Sequence, residues 1–215
     1  MQRPTRVNPV SNYDLQVDIA KNIFLAYDQQ HLIRKFGLEA DDAWICLNYL
    51  NTPCRLNRTT GTVEEQTAHG WQECREYSTV MTIYDLLCHH RGETAPALFH
   101  QWCTVGTFVV TGVTETETFT KKYAGVFDGK LEQLKAAAEK LGGIPQPRMA
   151  GADLTYLFWV TPFFPVLLQF WESDEEFPPK LLILWDRNTQ SFMHFETTFY
   201  LQGDLLARLK ATIEP

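Results

Sequence analysis

Several of the motifs that mark enzymes are missing from these 215 residues: there is no Gly-rich phosphate loop, no Gly-x-Ser-x-Gly elbow, no His-Glu-x-x-His and no Cys-x-x-Cys pair. Their absence removes the enzyme classes most readily read from sequence. Basic residues are also scarce, 19 against 26 acids for a net charge of −7. Nowhere are they dense enough to neutralise a run of phosphates, so nucleic acid is excluded as a partner. Long apolar runs are lacking as well. The richest, residues 154–160 and 163–171, are separated by Thr161 and Pro162 and are too short to cross a bilayer, so no membrane partner is expected. Residues 1–9 hold no apolar core of the kind a signal peptide needs. The five cysteines, Cys46, Cys54, Cys74, Cys88 and Cys103, are odd in number and irregular in spacing. They read as free thiols in a reducing, cytoplasmic compartment.

What is present is an ordinary globular balance, 45% apolar and 21% charged, with a 13% aromatic fraction that includes six Trp and fourteen Phe. Such rings serve a core or line a pocket. The length suits one domain, and the expected organisation is a flexible segment over residues 1–12 followed by a single α+β domain over 13–215.

Ser11 or Asn12 can cap a first helix whose apolar stripe is Leu15, Ile19, Ile23 and Tyr27, and Asp28 can start a second that ends at Gly37. Strands are expected over 43–49 and 54–57 and after Thr60-Gly61, as a meander turning at Asn51-Thr52-Pro53. Helices are expected over 78–90, capped by Ser78, and over 130–141. A strand is expected over 107–110. Apolar runs at 154–160, 166–171 and 181–185 read as adjacent antiparallel strands. Leu201, Leu205, Leu209 and Ile213 give a final helix with Asp204 as a possible cap. Grouped strands flanked by grouped helices indicate antiparallel sheets with helices packed on one face.

The run Phe170-Trp171-Glu172-Ser173-Asp174-Glu175-Glu176-Phe177-Pro178-Pro179, followed by Leu181-Leu182-Ile183-Leu184-Trp185-Asp186, resembles a bacterial family described only as a domain of unknown function, number thirty-seven eighty-six. Leu25-Ala26-Tyr27-Asp28, Ile33-Arg34-Lys35-Phe36-Gly37-Leu38 and Leu141-Gly142-Gly143 carry the same resemblance, which spans most of residues 13–210. It implies a bacterial source and brings no activity. Some members carry an added iron–sulfur segment with four cysteines, and no such cluster occurs here.

The most unusual local chemistry is Glu172, Asp174, Glu175 and Glu176 beside Trp171 and Phe177. Repulsion among these carboxylates can be answered by solvation in a hairpin loop, by Lys or Arg from elsewhere, or by a divalent cation on Asp174, Glu175 and Glu176. Asp186 falls about 6 residues further along the next strand, roughly 20 Å from the loop, and is expected to start the turn after that strand. Cys88-His89-His90 and the segment His100-Gln101-Trp102-Cys103 offer soft ligands or a thiolate. Their spacing is not a zinc pattern, and adjacent His side chains on a helix diverge by about 100°. The leading functional reading is a non-catalytic binding or accessory protein with a concave, aromatic-lined surface near Trp102, Trp159 and Trp171. The alternative is an enzyme, cation-dependent at the acidic loop or thiol-based at Cys88 or Cys103.

Overall fold

The computed structural model describes residues 12–108 and 118–214. The first half builds α1 (Asn12–Ala26), α2 (Gln29–Phe36), the strands β1 (Glu39–Ala40), β2 (Trp44–Tyr49), β3 (Thr52–Asn57), β4 (Val63–Thr67) and β5 (Gly70–Glu73), then α3 (Tyr77–Cys88). The second half builds β6 (Trp102–Thr104), α4 (Thr118–Phe127), α5 (Leu131–Lys140), β7 (Ile144–Pro145), β8 (Leu154–Thr161), β9 (Phe164–Trp171), β10 (Lys180–Asp186) and α6 (Phe195–Ile213). Among the described residues the strands form two five-stranded antiparallel sheets, ordered β1-β2-β3-β4-β5 and β6-β10-β9-β8-β7, in an α+β arrangement.

The first sheet is a meander buried on one face, where Ile45, Leu47, Tyr49, Cys54, Leu56 and Val63 meet the core. On its other face the Arg55 guanidinium lies between the rings of Trp44 and Trp71, 3.8 and 4.4 Å from their centroids, and pairs with Glu64 at 2.6 Å. The β2–β3 turn is not at Asn51-Thr52-Pro53 but at Leu50-Asn51, both at positive φ (46° and 63°). Leucine is a poor local choice there. Tertiary contacts hold it: Leu50 is fully buried, its N–H donates to the Val160 carbonyl at 2.9 Å, and Asn51 Nδ2 donates to the Lys140 carbonyl.

In the second sheet β9 is buried along almost its whole length, which is why it reads as a continuous apolar run. Leu168 and Ile183 sit opposite each other and both are core residues. Helices cover the face that carries Leu168 and Phe170: the α4 ring of Phe127 meets Phe170 edge-on at 6.5 Å, and α5 packs on β7 and β8.

Local signals set α2 as expected. The Asp28 carboxylate accepts from the His31 N–H, and Gly37 closes the helix at φ 62°. Elsewhere tertiary structure overrides them. The 3₁₀ turn Val105–Phe108 replaces the expected strand over 107–110, of which Val109 and Val110 lie outside the described residues. Ser78 lies inside α3 and does not cap it, and α6 begins nine residues before Asp204. That Asp is a helix-interior residue, paired with Arg208 at 2.8 Å and accepting from Thr79 Oγ1 at 2.6 Å. Of the segment 1–12, only Asn12 is described, and it opens α1. All five cysteines are free. No helix among the described residues is long and apolar enough to cross a membrane.

Candidate functional site

Helices α3 and α6 pack antiparallel: Thr79 meets Asp204 near one end, and Asp85 meets Thr197 and His194 near the other. Asp85 and His89 stand four residues apart, on one face of the last turn of α3. His194 is the residue before α6, in an extended conformation (φ −67°, ψ 155°) that turns its side chain back toward α3. Three donor atoms thereby converge. His194 Nδ1 is 2.7 Å from Asp85 Oδ1 and 3.2 Å from His89 Nδ1, and His89 Nδ1 is 3.9 Å from Asp85 Oδ1.

The surroundings fix each group. Asp85 Oδ2 accepts from the His194 N–H at 2.8 Å and from Thr197 Oγ1 at 2.5 Å, so it caps α6 in place of a local side chain. His89 Nε2 lies 3.0 Å from the Gln190 carbonyl, which can only accept. The chain just past His89 is tied to α2, because the His90 carbonyl accepts from Tyr27 Oη at 2.9 Å and Lys35 Nζ at 2.7 Å.

These polar groups stand at one end of a cavity of about 480 Å³ between α1, α3 and α6. Its walls are mostly apolar, with Ile19, Ala20 and Ile23 from α1, Met81 and Tyr84 from α3, and Tyr200 from α6. At the other end Tyr77 packs edge-on against both Tyr13 and Tyr200, with centroids 4.9 and 5.3 Å away. Of the stripe expected for α1, Tyr27 lies past the helix end and packs against the core, whereas Leu15, Ile19 and Ile23 remain 54%, 53% and 41% exposed and Phe24 is the residue α1 buries.

Only His89 of the Cys88-His89-His90 run contributes to this cluster. Burial pushes the Cys88 thiol up to about 12, so it is protonated at neutral pH, and burial also raises the Cys103 thiol. His90 titrates below the usual histidine range, because of burial first and the Lys35 charge second. Asp85 and His194 carry no local motif. The four-residue spacing from Asp85 to His89 is visible in sequence, but His194 joins them only through the packing of α6 on α3.

The acidic segment forms the β9–β10 connection. Asp174 Oδ1 accepts from the N–H groups of Glu176 and Phe177 at 2.8 and 2.7 Å, and Ser173 binds Asp128 through its N–H and its hydroxyl at 2.9 and 2.7 Å. These bonds hold Asp128 below the usual carboxylate range. Glu175, Glu176 and Phe177 are exposed, and among the described residues no ion pair reaches Asp174, Glu175 or Glu176. Trp171 closes the strand, with Lys180 Nζ 5.3 Å from its ring centroid, and together with Asp174 and Phe177 it borders a cavity of about 900 Å³. Trp102 pairs with Asp186 and Trp159 with Pro165. By strand alternation all three Trp share the sheet face away from Leu168, but Trp159 and Trp171 lie roughly 20 Å apart along it. Asp186 is far from the acidic loop. Its carboxylate accepts from Asn188, Phe99 and His100 N–H groups, fixing the turn and the strand entering β6.

The chain matches the family described as a domain of unknown function, number 3786, over residues 28–208, and belongs to it. Neither the curated proteins nor the solved structures give a match.

Proposed function

We propose that this member of the family is a small-molecule binding protein whose ligand occupies the cleft between α1, α3 and α6. The observation that carries the reading is the cavity of about 480 Å³ with mostly apolar walls, in whose lining Asp85, His89 and His194 converge at one end. Pockets of roughly 300–1,000 Å³ with that division of labour hold small organic ligands: the walls supply affinity and the polar end sets orientation. The exposed stripe Leu15-Ile19-Ile23 adds to it, since a helix that only supported the fold would turn such a stripe inward. The matching ligand has an apolar body and an oxygen or nitrogen head that reaches Asp85, His89, His194 and Arg91. The five free thiols fit a reducing, cytoplasmic setting.

A second reading, an enzyme, is favoured by the same polar end, where a carboxylate and two imidazoles meet. The raised thiols of Cys88 and Cys103 do not favour a thiol nucleophile. The binding reading places the ligand here in preference to the acidic loop because Asp174 Oδ1 and the Ser173 hydroxyl there already bind neighbouring chain.

The test is titration with anilinonaphthalene sulfonate, a probe with an apolar body and an anionic head. Wild-type chain is expected to bind one equivalent saturably, and Ile19→Asp/Ile23→Asp, at positions exposed enough to spare the fold, is expected to lose that binding. Identical titrations for the two proteins overturn the reading.

A further inference from the structure

We propose that Asp85 Oδ1, His89 Nδ1 and His194 Nδ1 together bind a divalent transition-metal ion at the polar end of the cleft. This goes beyond ligand binding in the apolar part and rests on a separate observation, the convergence of the donors.

Ligand bonds of about 2.0–2.2 Å place neighbouring donors on one ion about 2.9–3.5 Å apart. The three separations here, 2.7, 3.2 and 3.9 Å, bracket that range. The atoms beyond the donors are arranged as metal sites require. The Gln190 carbonyl accepts a hydrogen bond from His89 Nε2–H, so neutral His89 presents a lone pair at Nδ1. Asp85 binds the α6 terminus and Thr197 through Oδ2, which leaves Oδ1 for another partner.

Helix capping alone accounts for Oδ2 but not for two imidazole Nδ1 atoms 3.2 Å apart. A proton on His194 Nδ1 is drawn to Asp85 Oδ1, and the His89 lone pair is then left facing it at an angle. A cation at the centre uses all three lone pairs at once. Two neutral imidazoles and one carboxylate suit Zn²⁺, Fe²⁺, Co²⁺ or Ni²⁺, whereas Ca²⁺ and Mg²⁺ take oxygen donors. Three protein donors leave one position open on a tetrahedral ion and three on an octahedral one. All three residues line the cleft wall, so the open positions face the cavity and can take an oxygen or nitrogen of a bound small molecule.

The test uses full-length chain without an affinity tag, stripped with chelator and then dialysed. Co²⁺ is titrated by visible absorption and Zn²⁺ by calorimetry, with Mg²⁺ and Ca²⁺ for comparison. One Co²⁺ or Zn²⁺ per chain is expected, with no comparable binding of Mg²⁺ or Ca²⁺. His89→Ala and His194→Ala should each weaken binding by at least roughly 100-fold, and Thr197→Val, which removes the hydroxyl orienting Asp85, by roughly 10-fold. His69→Ala and His100→Ala, at exposed positions outside the cluster, should bind as wild type does. His194 is 65% exposed, so His194→Ala keeps the fold, and Zn²⁺ should raise the melting temperature of wild type but not of this variant. Failure of wild type to bind either ion stoichiometrically, or undiminished binding by both His variants, overturns the site. Anilinonaphthalene sulfonate titration of the same samples separates the two proposals, since retained dye binding without metal binding removes the metal site alone.

Discussion

The β9–β10 loop and the α1–α3–α6 cleft each gather carboxylates beside aromatic rings, yet they use their polar atoms in opposite ways. In the loop, Asp174 accepts from the backbone two and three residues ahead, and Ser173 is held by Asp128. Of the other carboxylates, Glu175 and Glu176 are exposed and Glu172 is half-buried. In the cleft, Asp85 uses one oxygen on the structure and turns the other toward two histidines that arrive from different helices. Crowding in sequence is therefore not by itself the mark of a site, because a local cluster can satisfy itself locally. Groups brought together from residues 85, 89 and 194, with donor atoms 2.7 to 3.9 Å apart, have no such outlet within their own few residues.

Both regions hang from the same core, so the largest expected effect should not distinguish them. Leu168→Ala removes a fully buried side chain from β9 and should cost about 2–5 kcal/mol, measured by denaturant unfolding. A variant that melts within error of wild type would mean the central strand is misplaced. Asp85→Ala should separate the regions. It strips α6 of its cap and leaves the Thr197 hydroxyl unpartnered, for a cost of about 1–3 kcal/mol in metal-free protein. No loss would assign Asp85 no part in holding α3 against α6.

The tether between loop and body has a pH signature. Because the native pKa of Asp128 is lowered by Ser173, the contribution of this contact is present above the ordinary aspartate value and lost as pH falls through the lowered one. Side-chain NMR titration should find Asp128 below that ordinary value, and Ser173→Ala should move it up. An unchanged titration would remove Ser173 as the cause. Smallest of all should be Asp174→Asn/Glu175→Gln, within about 0.5 kcal/mol of wild type and insensitive to Ca²⁺ or Mg²⁺. A melt raised by those ions in wild type alone would restore the loop as a cation site.

Much of the fold is legible in the sequence where its causes are local or strongly apolar. Asp28 and Gly37 delimit α2 through contacts within the same few residues, and the run that becomes β9 is continuously apolar because that strand is buried along almost its whole length. The turn at Leu50-Asn51 is not legible, since its partners Val160 and Lys140 lie about 90 to 110 residues away. The same holds for the start of α6, where Gly203 and Asp204 look like a boundary until Arg208 and Thr79 are seen to satisfy the carboxylate. For α1, spacing predicts the stripe but says nothing of what it faces. The candidate site was legible only at His89, within the Cys88-His89-His90 run: Asp85 carries no motif, and His194 is 105 residues from His89 and enters through tertiary packing.

Amide NMR of ¹⁵N-labelled chain titrated with anilinonaphthalene sulfonate tests the central claim most directly, because cleft and loop report in one spectrum. The account predicts saturable shifts at Ile19, Ile23, Met81, His89 and Tyr200, with residues 171–180 unmoved. Shifts confined to Trp171, Asp174, Phe177 and Lys180 would contradict it and return the binding site to the loop.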